Sequence, residues 1–254
     1  MCESCGCQPL ARSNVYQFLA VALGYPEASP LAALQQRWAQ LETSLEVLQD
    51  GESLRAVRGL APVLDDLTVA DWVDDYVHCF GHSISKECPP YEAEYDQAHI
   101  FQQSQTLADI AGFYRAFGLQ PAPALTERLD HISVELEFMH FLCLKEAYAL
   151  AKTHSEEQLS ICRQAQTKFL DDHLGQWVLG FVERLAAKAF DTVYGPMAGV
   201  LSAFLSSEMQ TFGLEPAKGG TPVFVEPPDE ENLECAECPL VVPLFSGVVA
   251  KGAS

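Results

Sequence analysis

The chain has 254 residues, 48% of them hydrophobic, with 15 basic and 35 acidic side chains and a formal net charge of −20. That length can bury one large core or two small ones. Such acidity repels nucleic-acid phosphates and anionic lipid and attracts basic peptides, so a nucleic-acid partner is excluded, although acidity also serves solubility alone.

The first ten residues, "MCESCGCQPL", lack a basic region followed by an apolar stretch and are not a secretory leader. Val15, Phe18, Leu19, Ala22 and Leu23 then form one helical stripe, closed by Gly24 and Pro26. Ser29-Pro30 opens a second helix, in which Leu31, Leu34, Trp38, Leu41, Leu45 and Leu48 step by 3 and 4 up to Asp50-Gly51. A short helix is predicted over about 53–60. Thr68 with Asp71 resembles a capping box before Trp72, Val73, Tyr76, Val77 and Phe80, and Gly81 stops that helix.

An irregular stretch, 82–95, follows. It contains "ECPPYEAEYD", which cannot be a regular helix through Pro89 and Pro90. Helical spacing resumes at Leu107, Ile110, Ala111, Tyr114 and Phe117, and Gly118 ends it. Leu125, Leu129, Ile132, Leu136, Met139 and Cys143 predict one long helix, with Asp130 and His131 in its N-terminal part. Ser155 and Gln158 form a second capping box. Phe169, Trp177, Phe181, Leu185 and Phe190 populate two further helices, and Gly195-Pro196 opens the last, which ends at Gly213.

The pattern predicts an all-α fold, a single helical domain of about ten helices with a Pro-rich internal break. The organisation reads as a Cys-rich segment over 1–10, a helical domain over 11–213 and a Pro-rich acidic tail over 214–254 that is irregular and carries a CxxC. No apolar run approaches the ~20 residues of a membrane span, so stable membrane insertion is not expected. Four of the nine cysteines, Cys79, Cys88, Cys143 and Cys162, sit in helical patterns or a loop and fit reduced thiols in a cytoplasm.

Three constellations carry potential chemistry. Cys2, Cys5 and Cys7 at one end and Cys235 and Cys238 at the other would suit zinc or an iron–sulfur cluster as thiolates, or stand as simple reduced thiols. Glu137 and His140 have the i, i+3 spacing of di-iron bundles, but the second such pair is missing, and a satisfied helix histidine is the simpler reading. Asp130 and His131, with Glu127 and Glu135 four residues to either side of His131, border a buried stripe; acids so placed form a solvated face or accept a guanidinium. Phosphate-loop, dinucleotide and nucleophile-elbow motifs are absent, which removes the usual positive signs of catalysis.

Two of these motifs, in this order, resemble the TorD/DmsD/NarJ group of cytoplasmic chaperones for molybdenum-cofactor oxidoreductases. They are the Pro-Pro-aromatic-Glu corner (Pro89, Pro90, Tyr91, Glu92) and the Asp-His pair (Asp130, His131), separated by "LADIAGFYRAFGL". The resemblance covers about residues 12–212 and is strongest from Asp75 to Leu142. It implies an all-helical, non-enzymatic protein that binds the twin-arginine signal peptide, or an N-terminal segment, of a partner's catalytic subunit. Cofactor insertion is thereby assisted and export delayed. It implies a peptide site at Pro89, Pro90, Tyr91, Glu92, Tyr95, Asp130 and His131, with a Tyr where relatives often have Trp. The resemblance further implies that the protein itself requires no cofactor, the molybdenum cofactor being the client's, and that it is a monomer or a domain-swapped dimer. The terminal cysteines are not part of the family pattern. They support the alternative of a thiolate metalloprotein in electron transfer or sensing.

Overall fold

The computed structural model describes residues 6–81, 85–95, 100–121 and 127–215. The expectations for Cys2, Cys5, Cys235, Cys238 and almost all of the tail lie outside these residues. All the described residues belong to one compact unit, Met1–Val223.

The helices are α1 (Cys7–Leu23), α2 (Ala28–Leu48), α3 (Gly51–Asp66), α4 (Val69–Phe80), α5 (Ile100–Ala116), α6 (Ile132–Ala151), α7 (Glu156–Phe169), α8 (Gly175–Lys188) and α9 (Tyr194–Thr211). Among the described residues there is no strand, only an isolated antiparallel bridge between Tyr91 and His131. The all-α expectation holds, but the number of helices is lower than the expected ten. The π turn Leu170–Leu174 joins α7 to α8 without a loop, leaving eight separate helical rods among the described residues. Asp171, Asp172 and Gly175 lie between Phe169 and Trp177, in the stretch expected to form two helices. The wider π turn instead absorbs the change of phase, so Phe169 and Trp177 both stay buried.

Side-chain caps start α3, α4, α6 and α7. Thr68 Oγ1 accepts from Asp71 N, and Ser155 forms its capping box with Gln158. Asp50 does not end α2. Its carboxylate accepts from Ser53 N at 3.0 Å and starts α3, while α2 closes on Gln49 with φ 57°. Helix α3 also outruns its predicted end, past Pro62 to Asp66, because Val57, Leu60 and Leu64 keep one buried stripe against α9.

Helix α1 packs against α6 and α2, and α9 against α3 and α8. The core between them holds Tyr16, Phe18, Trp72, Phe169, Trp177, Phe181, Tyr194 and Phe204, all essentially without exposure. A buried polar seam crosses it. Arg12 donates to Glu208 from Nε at 2.7 Å and from Nη2 at 2.5 Å, Tyr16 donates to the same carboxylate at 2.9 Å, and Arg12 Nη1 reaches Gln166 at 2.7 Å. Every member has a partner, so the seam ties α1, α7 and α9 in one register.

Candidate functional site

The corner at 85–95 is built from what proline lacks. Pro89 and Pro90 have no N–H to place, and the extended geometry they enforce leaves the Pro90 carbonyl free to accept from Ile132 N at 2.9 Å. Ile132 is the first residue of α6, so the corner satisfies a helix-end donor that the helix itself cannot. Glu92 N donates to the Asp130 carbonyl at 3.0 Å, and the bridge between Tyr91 and His131 lies between these two bonds. The Pro-Pro corner and the Asp-His pair are thus joined side by side at this one bridge, just before the 3-10 turn Glu92–Glu94 and just after the turn at 129–130.

Asp130 and His131 therefore precede α6 and are not in it. His131 is its N-cap, with Nδ1 accepting from Ser133 N at 3.2 Å. Burial, then the positive charge of Arg128, pulls the imidazole down to about 3, so it is neutral at physiological pH. Its 4.0 Å approach to Glu127 is consequently not an ion pair.

Asp130 is 0% exposed. Arg128 grips its carboxylate with both sides of the fork, Nε to Oδ1 at 3.0 Å and Nη2 to Oδ2 at 2.7 Å, and Ala93 N adds a third donor at 3.2 Å. The third arm of the guanidinium, Nη1, reaches Glu94 at 3.1 Å, and the group lies 4.6 Å from the centre of the Tyr91 ring. Tyr91 in turn donates its hydroxyl to Glu127 at 3.0 Å. This is a complete guanidinium cradle: two carboxylates and an aromatic face, occupied by an arginine of the chain itself.

Beneath the corner lies a second cluster. His173, from the π turn, donates Nδ1 to Glu92 at 3.0 Å, and Trp177 of α8 donates to Glu135 of α6 at 3.1 Å. One oxygen of Glu92 and one of Glu135 find no donor among the other groups. Burial, then the neighbouring Glu92, pushes Glu135 well above the carboxylate range, so it keeps its proton beside Glu92.

The structure thus brings Pro89, Pro90, Tyr91, Glu92, Tyr95, Asp130 and His131 into one locality. All but Tyr91 are buried there. Arg128, Glu94 and Glu127 bear the partly exposed polar atoms, while His173, Trp177 and Glu135 support Glu92 from behind. An apolar groove of about 350 Å³, lined by Tyr114, Leu119, Leu129, Val134, Phe138 and Phe141, starts beside the cradle. Leu129 belongs to its wall, between Arg128 and Asp130 in sequence. Across Phe141 a second groove of about 660 Å³ continues between α6 and α7, where Leu144, Tyr148 and Ile161 are exposed.

The other constellations carry less. His140 Nδ1 donates to the Ser13 carbonyl at 2.9 Å, a satisfied helix histidine rather than a metal ligand. Cys79, Cys88, Cys143 and Cys162 are free, and burial pushes Cys79 up to about 11 and Cys88 and Cys143 up to about 12, which keeps those three thiols protonated and poor nucleophiles. Cys7, expected as a thiolate ligand, is the first residue of α1. Among the described residues no group of three or more His, Cys, Asp or Glu side chains is placed to hold a metal ion. No helix among them is long and apolar enough to cross a membrane.

Comparison with known proteins assigns this helical chain to a family. The family model described as nitrate reductase delta subunit matches residues 27–183. The perchlorate reductase assembly chaperone protein of Dechloromonas aromatica (strain RCB) is 30% identical over 79% of this chain and 89% of its own. The TorD chaperone of Vibrio cholerae (strain N16961) is 26% identical over 78% of this chain and 90% of its own. The selenate reductase assembly chaperone protein of Thauera selenatis is 36% identical over a shorter part, 37% of this chain and 48% of its own. The chain belongs to the nitrate reductase delta subunit family, in which the TorD and NarJ chaperones fall.

Proposed function

We propose that this protein is a cytoplasmic maturation chaperone for the catalytic subunit of a molybdopterin reductase. It binds the subunit's twin-arginine signal peptide, or a comparable N-terminal segment, until the molybdenum cofactor is in place. Relatives named as perchlorate and selenate reductase assembly chaperones support the general role. The observation that carries the peptide specificity is the acidic, aromatic cradle around Arg128 beside an apolar groove. A twin-arginine leader offers the matching sequence of chemistries, guanidinium groups followed by an apolar run.

In this reading the protein acts by binding and not by catalysis, and the molybdenum cofactor belongs to the client. Calorimetric titration at low salt, with the N-terminal peptides of molybdopterin reductases from the same genome, tests it. We expect one peptide to bind, and its Arg-Arg→Lys-Lys version to bind about tenfold or more weakly, because lysine cannot reproduce the two-pronged contact. Failure of all such peptides to bind would overturn the reading.

A further inference from the structure

The cradle is not empty, and its occupant sits on the same short segment as its deepest carboxylate. Arg128 is only two residues from Asp130, so it is held near the site at high local concentration. It uses the whole vocabulary of guanidinium recognition: the fork on Asp130 at 3.0 and 2.7 Å, the third arm on Glu94 at 3.1 Å and the Tyr91 face at 4.6 Å. Its side chain nevertheless remains 33% exposed, while the Asp130 carboxylate beneath it has no exposure. An incoming guanidinium can reach that carboxylate only by taking the place of Arg128.

We infer that Arg128 is an internal competitor, an arginine of the chain that fills the cradle until an arginine of the client peptide displaces it. The inference rests on the peptide-binding reading above. It has two physical consequences. Apparent affinity is lowered by the fraction of time Arg128 occupies the site, so weakly matching peptides are refused. The buried carboxylate also spends little time without a cation, because Arg128 covers it whenever the client's guanidinium does not.

Two variants and two probes test this. Arg128→Gly vacates the cradle, and Arg128→Lys keeps a positive charge near Asp130 without the fork, which protects folding if the glycine variant is unstable. The first probe is ethylguanidinium, with ethylammonium as control, followed by thermal shift. At millimolar concentration, ethylguanidinium should raise the melting temperature of Arg128→Gly, or of Arg128→Lys if the former does not fold, and leave the natural protein unmoved. The second probe is the twin-arginine peptide, which should bind Arg128→Lys about tenfold more tightly than it binds the natural protein. Its Lys-Lys version should gain much less.

No response of either folded variant to ethylguanidinium would show that the cradle is not a guanidinium site and would overturn the inference. Unchanged or weaker peptide binding by folded variants that do respond would show Arg128 to be a fixed staple and would also overturn it, with the chaperone reading intact. If ethylguanidinium binds but no protein takes up any peptide, the peptide-binding reading falls, and the competitor role falls with it.

Discussion

At the scale of single residues, the site is governed by which buried groups hold protons. His131 has no exposure, and its pKa lies at about 3 instead of 6.5. Between those two values the unfolded chain binds a proton on His131 that the folded chain refuses. Its contribution to stability is therefore intact above pH 6.5 and is lost progressively as the pH falls toward 3. Glu135 works in the opposite sense. Its raised carboxyl favours the folded state at low pH, an advantage lost as the pH rises above the ordinary carboxylate range. The His131→Asn variant keeps an acceptor at the N-cap and removes only the histidine titration, so the Glu135 effect cancels in a comparison. Urea unfolding at pH 7, 6 and 5 should show the folding constant of the natural protein dropping, relative to His131→Asn, by up to about tenfold per pH unit below 6.5. A gap that does not change with pH would mean that His131 titrates in the fold as it does in the unfolded chain.

At the scale of elements, the π turn between α7 and α8 is the feature on which the lower half of the site depends, since it faces His173 toward Glu92. Gly175 permits it. A Cβ there would run into the Leu170 carbonyl and come within 3.3 Å of Met209 Sδ. Gly175→Ala should cost about 2–3 kcal/mol in urea unfolding, as backbone obstruction in a packed element does. Gly199→Ala in α9 meets nothing within 4 Å and should gain about 0.5–1 kcal/mol, as helix interiors do when glycine is replaced. Equal effects at the two positions would contradict the role given to the turn. The same turn shows where the sequence is silent. Helices announced by caps, such as Thr68 before α4 and Ser155 before α7, are legible because the side chain that starts the helix is written at its start. The junction at 170–174 is not, because two aspartates and a glycine do not announce a continuous helix unless the partners of Phe169 and Trp177 are known. Residues 127–131 mislead in the other direction. Leu125, Leu129 and Ile132 keep helical spacing, yet α6 begins only at Ile132. In a helix, residues two apart point away from each other, so that reading concealed the pair of Arg128 with Asp130. The proximity of Tyr91 to His131 was accessible through the two motifs, whereas the contacts of Glu92 with His173 and of Glu135 with Trp177 had no local signal at all.

At the scale of the whole molecule, charge and apolar surface divide the work of binding. The net charge of −20 acts at a distance on a basic segment, while the cradle and grooves act only after contact. Exposed ion pairs are worth ~0–1 kcal/mol each, so apolar burial along α6 must supply most of the equilibrium affinity. The screening length is about 10 Å at 0.1 M salt and about 3 Å at 1 M, so added salt removes the distant attraction first. Groups already enclosed at the cradle are screened far less. For a twin-arginine peptide, stopped-flow measurements between 0.05 and 0.5 M NaCl should therefore show the association rate falling by about tenfold or more. The dissociation rate should stay within about threefold, because the bonds that must break are the sheltered ones. A loss carried mainly by faster dissociation would place the peptide's arginines in open solvent. A rate of association indifferent to salt would show that the protein's acidity serves solubility alone.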